Sequence, residues 1–216
     1  MHYRLIPNSF HFENLSLFNT SYRGLHMKNN TYKNDVRILG GKFKGKLLPV
    51  LDVEGLRPTP SRVRETIFSW IKDSLGNAKV LDLFAGSGAL GLEAYSRGAK
   101  DVTLVELDKD NSSNLKEIAK SMSYDEIHVI NDDALHFLDN VSSTFNIVFI
   151  DPPYKLDIYE KVLEKLLDKN LIDDDSLIYV EMRNGSNKIV PGYEIIREEN
   201  AGQSKYSLWT KSKLLF

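Results

Sequence analysis

The stretch VLDLFAGSGALG, residues 80–91, decides the fold. Val80, Leu81 and Leu83 make an apolar run too short for a helix and stopped by Gly86, the pattern of a buried parallel strand. Asp82 stands near the end of that strand, Gly86 and Gly88 bracket Ser87, and residues 89–97 continue as a helix. A backbone that turns this sharply, with no side chain in the way, can lie against a ligand beside the N–H groups that open the helix. The rest of the chain is organised around this turn.

Gly86, Gly88 and Gly91 satisfy G-x-G-x-x-G, and Glu106 lies at a suitable distance downstream to take a ribose hydroxyl, as in a dinucleotide fold. Two details argue against a dinucleotide. A carboxylate at the end of the strand would repel a pyrophosphate, and LFAGSG puts three residues between Asp82 and the first glycine. An acid here suits a cationic ligand. S-adenosylmethionine carries an ammonium, a sulfonium and a ribose diol for Glu106, and no phosphate. The alternative at this point is a tight strand–helix turn that holds no ligand.

The 216 residues are 42% hydrophobic and 27% charged, which suits one α/β domain with an appendage and a full-sized core. The absence of cysteine removes disulfides, thiolate zinc sites and cysteine nucleophiles. The five histidines (His2, His11, His26, His128, His136) form no ligand cluster, so no metal is expected. No apolar run approaches a membrane span and no signal-peptide pattern opens the chain, so a cytoplasmic protein is expected.

Residues 1–34 show no sustained period and are expected to form an N-terminal extension to which no structure is assigned. Met27 offers an alternative start, which would make residues 1–26 an upstream extension of the reading frame. From Val36 the character changes. Residues 36–39, Gly40-Gly41 and residues 42–48 read as a glycine-turned hairpin in which Lys42, Lys44 and Lys46 share one strand face and Phe43 points away. Arg37, Arg57, Arg62, Arg64 and Lys72 extend this into a basic island within a chain of net charge −2. It reads either as a lysine-guarded edge strand or as a phosphate-binding surface for RNA or DNA, with Phe43 stacking or packing. Thr59 reads as the N-cap of the next helix with Pro60 at its first position. Val63, Ile67, Trp70 and Ile71 form that helix's apolar stripe, and Arg62, Arg64 and Glu65 fall off it.

After the glycine turn, strands at 102–106, 127–130, 145–150 and 176–181 alternate with helices at 109–122 and 156–168 and a short helix or turn at 132–139. An antiparallel pair at 193–197 and 204–210 closes the series. This predicts an α/β fold, a doubly wound, mostly parallel, seven-stranded Rossmann-like sheet with ligands across the C-terminal strand ends.

Asp151-Pro152-Pro153-Tyr154 follows the apolar strand FNIVFI and falls at that same edge. Two prolines make a rigid turn whose carbonyls are free to accept. The Asp151 carboxylate and the Pro152 carbonyl can receive both hydrogens of a flat –NH₂ group, while Tyr154 stacks on the ring that bears it. An arylamine is a weak nucleophile, so orienting it beside a methyl sulfonium is proximity catalysis, and a carboxylate stabilises the charge it gains.

VLDLFAGSGALGLEA with VFIDPPY resembles the Rossmann-fold S-adenosylmethionine methyltransferases that modify exocyclic amines. With VRILGGKFKGKLLPV, LRPTPSRVRETIFSWI, LIYVE and AGQSKYSLW, the chain resembles the bacterial small-subunit rRNA guanine-N2 methyltransferases, the RsmD family, over residues 35–210. The resemblance implies methyl transfer from S-adenosyl-L-methionine, leaving S-adenosylhomocysteine, to the N2 amine of guanine 966 of 16S rRNA. The substrate it implies is the 30S subunit or a late assembly intermediate, and the enzyme is expected to be a monomer. It implies a methyltransferase domain over residues 35–216, with 35–58 as its RNA-contacting hairpin part.

By the same resemblance Asp82, Phe84, Ala85, Gly86, Ser87 and Gly88 line the methionine side of the cofactor. Glu106 takes the ribose, Leu107 lies beside the adenine, and Asp133 and Ala134 approach the adenine amine. Asp151, Pro152, Pro153 and Tyr154 hold the guanine. Arg57, Pro58, Thr59, Arg62, Arg64 and Glu65 lie near cofactor and RNA. The rivals are an amino-methyltransferase acting on adenine N6, cytosine N4 or a protein glutamine, and a non-catalytic RNA-binding factor. Asp151 and the basic island favour rRNA over the first, and Asp82, Glu106 and DPPY favour an enzyme over the second.

Overall fold

The computed structural model describes residues 32–51, 58–123, 125–153, 155–185 and 190–213, with side chains from residue 35. Strands β1 (Tyr32–Arg37) and β2 (Leu47–Leu51) pair as a separate antiparallel hairpin. Strands β3 (Lys79–Asp82), β4 (Asp101–Glu106), β5 (Ile127–Asn131), β6 (Ile147–Ile150), β7 (Leu177–Arg183), β8 (Tyr193–Ala201) and β9 (Ser204–Lys211) form a seven-stranded sheet in the order β5-β4-β3-β6-β7-β9-β8. The first five in that order are parallel, β9 pairs antiparallel with β7, and β8 pairs antiparallel with β9. Helices α1 (Ser61–Trp70), α2 (Gly91–Ser96), α3 (Lys109–Lys120), α4 (Ala134–Asn140) and α5 (Tyr159–Asp168), with a short 3-10 helix at Lys72–Ser74, complete the described elements.

Strand periodicity divides the core. Val80, Leu104, Ile147, Phe149 and Tyr179 face a cluster that takes in Val63 and Ile67 of α1, Leu92 of α2 and Leu115 of α3. Their neighbours Leu81, Val105, Val148, Ile150 and Val180 face Leu138 of α4 and Val162, Leu163 and Leu166 of α5. Burial on both sides explains the unbroken apolar run IVFI in β6. β3 lies between β4 and β6, so the chain crosses the sheet in opposite directions on its two flanks, and the ligand crevice opens at that switch.

The hairpin departs from the expected register. Lys42, Lys44 and Lys46 do not alternate along a strand, because β1 ends at Arg37 and β2 begins at Leu47. Gly41 and Gly45 take φ of 77° and 90°, and Lys44 N donates to Gly41 O while Lys46 N donates to Phe43 O. The lysines therefore sit on a compact turn rather than a ladder. Phe43 stacks on Tyr95 at 5.9 Å, so its ring is spent on packing.

The start of α1 also differs. Pro60 is the N-cap, with no side-chain capping bond, and Ser61 opens the helix. The Thr59 hydroxyl bonds elsewhere, to Asp151.

Candidate active site

The edge of the sheet brings the two chemical stretches together. β3 and β6 are neighbours, Asp82 pairs with Phe149, and Leu83 N donates to Phe149 O at 3.1 Å. The turn after β3 and the Asp151-Pro152-Pro153 loop after β6 are thus side by side. Between them lies a pocket of about 360 Å³ empty volume, with Asp82, Phe84, Ala85, Gly86, Ser87 and Asp151 among its lining residues. Pro58 and Thr59, which lead into α1, form another part of its wall.

Asp82 is buried, and its Oδ2 accepts from Gly91 N at 2.9 Å. That bond needs glycine: a Cβ on Gly91 would stand 2.2 Å from Leu104 Cδ2 and 3.2 Å from Asp82 Oδ2. Burial pushes the Asp82 carboxyl up to about 7; the Gly91 N–H opposes the shift and the Glu106 charge adds to it. Asp151 is raised well above the ordinary range by burial, then by the charges of Glu181 and Asp82, and the Thr59 hydroxyl at 3.3 Å pulls it back. Glu181, buried on β7, accepts from the Tyr179 hydroxyl at 2.9 Å. Sequence reasoning missed Glu181 as a neighbour of Asp151, since only strand order brings β7 beside β6.

Glu106 is placed at the end of β4 and spans the turn. Its Oε2 accepts from Gly86 N at 2.9 Å and Asn111 Nδ2 at 3.0 Å, and its Oε1 from Asp108 N at 2.8 Å. Burial raises its carboxyl above the usual range. Leu107 follows with 67% exposure, an apolar side chain presented to solvent at the ligand edge. Asp133 caps α4, accepting from Leu135 N and His136 N, and Ala134 is buried. Pro152 is buried and Pro153 exposed. Arg57 and Tyr154 lie outside the described residues, as do the expectations for residues 1–26.

Of the basic island, Arg37, Lys42, Lys44 and Arg62 are exposed and Lys46 is half-buried. Arg64 is a correction. It is 2% exposed rather than on a nucleic-acid surface, because the helix turns it onto Glu93, which is fully buried. Glu93 Oε2 accepts from Arg64 at 3.3 Å and from Leu39 N at 2.7 Å, while its Oε1 accepts from Arg97 Nε at 2.6 Å and Gly40 N at 2.8 Å. Arg64 also donates to Arg37 O at 3.0 Å. One carboxylate thereby ties the hairpin, α1 and α2, the helix that follows the glycine turn. Nothing local in the sequence marks Glu93 as the partner, which lies 29 positions from Arg64.

The donor set fits a sulfonium cofactor. Among the described residues the charged side chains lining the pocket are two carboxylates, Asp82 and Asp151, with no lysine or arginine that would ask for a phosphate. Glu106 and Leu107 stand beside it as an acid for hydroxyls and an apolar surface for a flat ring. Among the described residues no cluster of metal-ligating side chains is present.

This sheet order, with a glycine turn and a D-P-P loop facing one crevice at its switch point, defines the Rossmann-like methyltransferase class. The family model described as "Conserved hypothetical protein 95" matches residues 36–210, and the chain belongs to that family, the RsmD family. The Escherichia coli K12 protein "Ribosomal RNA small subunit methyltransferase D" is 40% identical over 185 residues, covering 85% of this chain and 93% of the relative. Its Haemophilus influenzae namesake is also 40% identical, covering 82% and 94%. The solved structure of yhhF from Escherichia coli superposes with a TM-score of 0.76 at 39% identity, covering 82% of this chain and 98% of that one.

Proposed function

We propose that this protein transfers a methyl group from S-adenosyl-L-methionine to the exocyclic N2 of guanine 966 in 16S rRNA, releasing S-adenosylhomocysteine. The observation that carries the reading is the pocket between Asp82 and Asp151: burial raises both carboxyls, the charge of Glu106 adds to the rise of Asp82 and those of Glu181 and Asp82 to the rise of Asp151, and a cation placed there would relieve both. The names of the curated relatives supply the substrate class, and the exposed Arg37, Lys42, Lys44 and Arg62 supply a phosphate-binding surface.

The cofactor brings an electrophilic methyl on a sulfonium. Asp82, with Phe84, Ala85, Gly86, Ser87 and Gly88, holds its cationic end; Glu106 takes the ribose hydroxyls, Leu107 covers the adenine, and Asp133 and Ala134 border the adenine amine. Asp151 and the Pro152 carbonyl accept the two N2 hydrogens, Pro153 stiffens the loop, and Tyr154 stacks on the base. With N2 held this way, the ionised Asp151 carboxylate would stabilise the positive charge that builds on nitrogen as it is methylated and take up the proton that N2 then releases. Thr59 favours that ionised form by donating to Oδ2.

The substrate is the 30S subunit or a late assembly intermediate, met in the cytoplasm by a monomer. The catalytic domain opens with the hairpin, whose first strand begins at Tyr32 rather than at residue 35, and the residues before it are an extension. The test is Asp151→Ala. Methyl transfer is expected to fall by at least about a thousandfold while the dissociation constant for the cofactor stays within about twofold. Wild-type turnover in that variant would overturn the assignment of Asp151.

A further inference from the structure

Beyond the crevice, β7 runs on to Arg183, and the β8–β9 turn at Gly202 and Gln203 folds back beside it. Arg183, Asn184, Gly185, Gly202 and Gln203 surround an open recess with about 570 Å³ of empty volume. Asn184 N donates to Gln203 O at 2.7 Å, and Arg183 pairs in register with Ser204. Gly185 and Gly202 take φ of 90° and 61°, and a Cβ on either would meet nothing within 4 Å. These glycines serve the turns and leave the recess unfilled.

The topology places the recess beside the reacting centre. β7 is parallel to β6, with Val180 opposite Ile150, so residues 181–183 run out over the same edge as residues 151–153. Alternation puts Arg183 on the face of Tyr179 and Glu181, about 7 Å beyond Glu181 along the strand. That face is the one α1 covers, and the charge of Arg62 on α1 reaches the Tyr206 hydroxyl, whose residue pairs with Glu181. Arg62 and Arg183 therefore share one face of the sheet. Arg183 is exposed and, among the described residues, makes no ion pair.

A nucleic-acid strand that delivers a base to Asp151 must bring its backbone past Asp151 and Glu181, two carboxylates that repel phosphate. A guanidinium just outside them supplies the counter-charge, and its planar fork matches phosphate oxygens. Side-chain amides add donors and acceptors suited to a ribose 2′-hydroxyl.

We propose that this recess binds the sugar–phosphate of a nucleotide flanking the target base, with Arg183 on the phosphate and Asn184 and Gln203 on ribose or phosphate oxygens. The inference rests on the rRNA-methyltransferase reading above and extends it to a second contact on the RNA strand.

The test measures binding of 16S RNA across a salt series and steady-state kinetics on 30S subunits, for wild type, Arg183→Ala, Arg183→Lys and Gln203→Ala. Arg183→Ala is expected to bind RNA about tenfold more weakly and to shallow the log–log salt slope by about 0.7–0.9. KM for the subunit should rise, while kcat at saturation and cofactor affinity hold. Arg183→Lys restores the slope, and Gln203→Ala raises KM without changing it. If Arg183→Ala melts like wild type and keeps wild-type RNA affinity and slope, the recess proposal is wrong. Were wild-type protein to methylate a different substrate class, the broader reading would fall with it, whereas wild-type activity on 30S with an indifferent Arg183→Ala would sink the recess alone.

Discussion

The Thr59 hydroxyl donates to Asp151 Oδ2 at 3.3 Å, joining residues 92 positions apart in the chain. Thr59 lies at the entrance to α1, the helix whose Arg64 meets Glu93. The bond orients the carboxylate and opposes the burial and the Glu181 and Asp82 charges that hold it back from ionising.

Thr59→Val removes the hydroxyl and keeps the shape. Without that donor the Asp151 carboxyl rises further above the ordinary range, so the ionised form needed to accept N–H is reached only at higher pH. The acidic limb of the kcat profile should move to higher pH, with kcat near neutrality down about tenfold. Cofactor affinity should hold, and Thr59→Ser should restore the limb. A profile that does not move would mean the hydroxyl plays no part in ionising Asp151.

Asp82 makes cofactor binding pH-dependent. Its carboxyl is raised from 3.8 to about 7 in the protein without a cation. Its proton therefore favours the folded state fully below about 3.8, and that contribution is lost as pH rises towards about 7. A cationic ligand favours the ionised form, so cofactor affinity should rise between pH 6 and pH 8. Calorimetry in buffers of different ionisation enthalpy should record proton release on binding. Asp82→Asn should remove this pH dependence, weaken binding at least about tenfold, and raise the melting temperature of the ligand-free protein at pH 8 by a few degrees. Equal affinity at pH 6 and pH 8 in the wild type would contradict the assigned role of Asp82.

Much of this architecture was legible in the sequence, and the exceptions have physical causes. The strand–turn–helix at residues 80–91 was readable because its apolar run and its glycines are local signals. Glu106 and Asp151 could be placed because each ends an apolar strand at the ligand edge. The lysines of the hairpin were misplaced because alternation is a strand signal only where φ stays negative, and Gly41 and Gly45 break it. Thr59 carried an N-cap signature that a tertiary partner overrode. Arg64 resembled other surface arginines because its burial depends on Glu93, a residue on another helix.

Glu93 should be the most sensitive charged position outside the crevice. Glu93→Ala leaves the Arg64 guanidinium buried without its carboxylate and frees Leu39 N and Gly40 N, so unfolding free energy should fall by about 3–5 kcal/mol. Glu93→Gln, which keeps an acceptor, should lose less. Urea titration checks both, and a loss below about 1 kcal/mol for the alanine variant would show that the network contributes little more than a surface pair.

The decisive measurement supplies tritiated S-adenosylmethionine and 30S subunits from a strain lacking this modification, with naked 16S RNA, DNA and protein substrates in parallel. The labelled product is then identified. Label in N2-methylguanosine at guanine 966 of the ribosomal substrate is the expected result. Label in N6-methyladenosine, in DNA or in protein would contradict it, and so would the absence of label from protein shown to bind the cofactor.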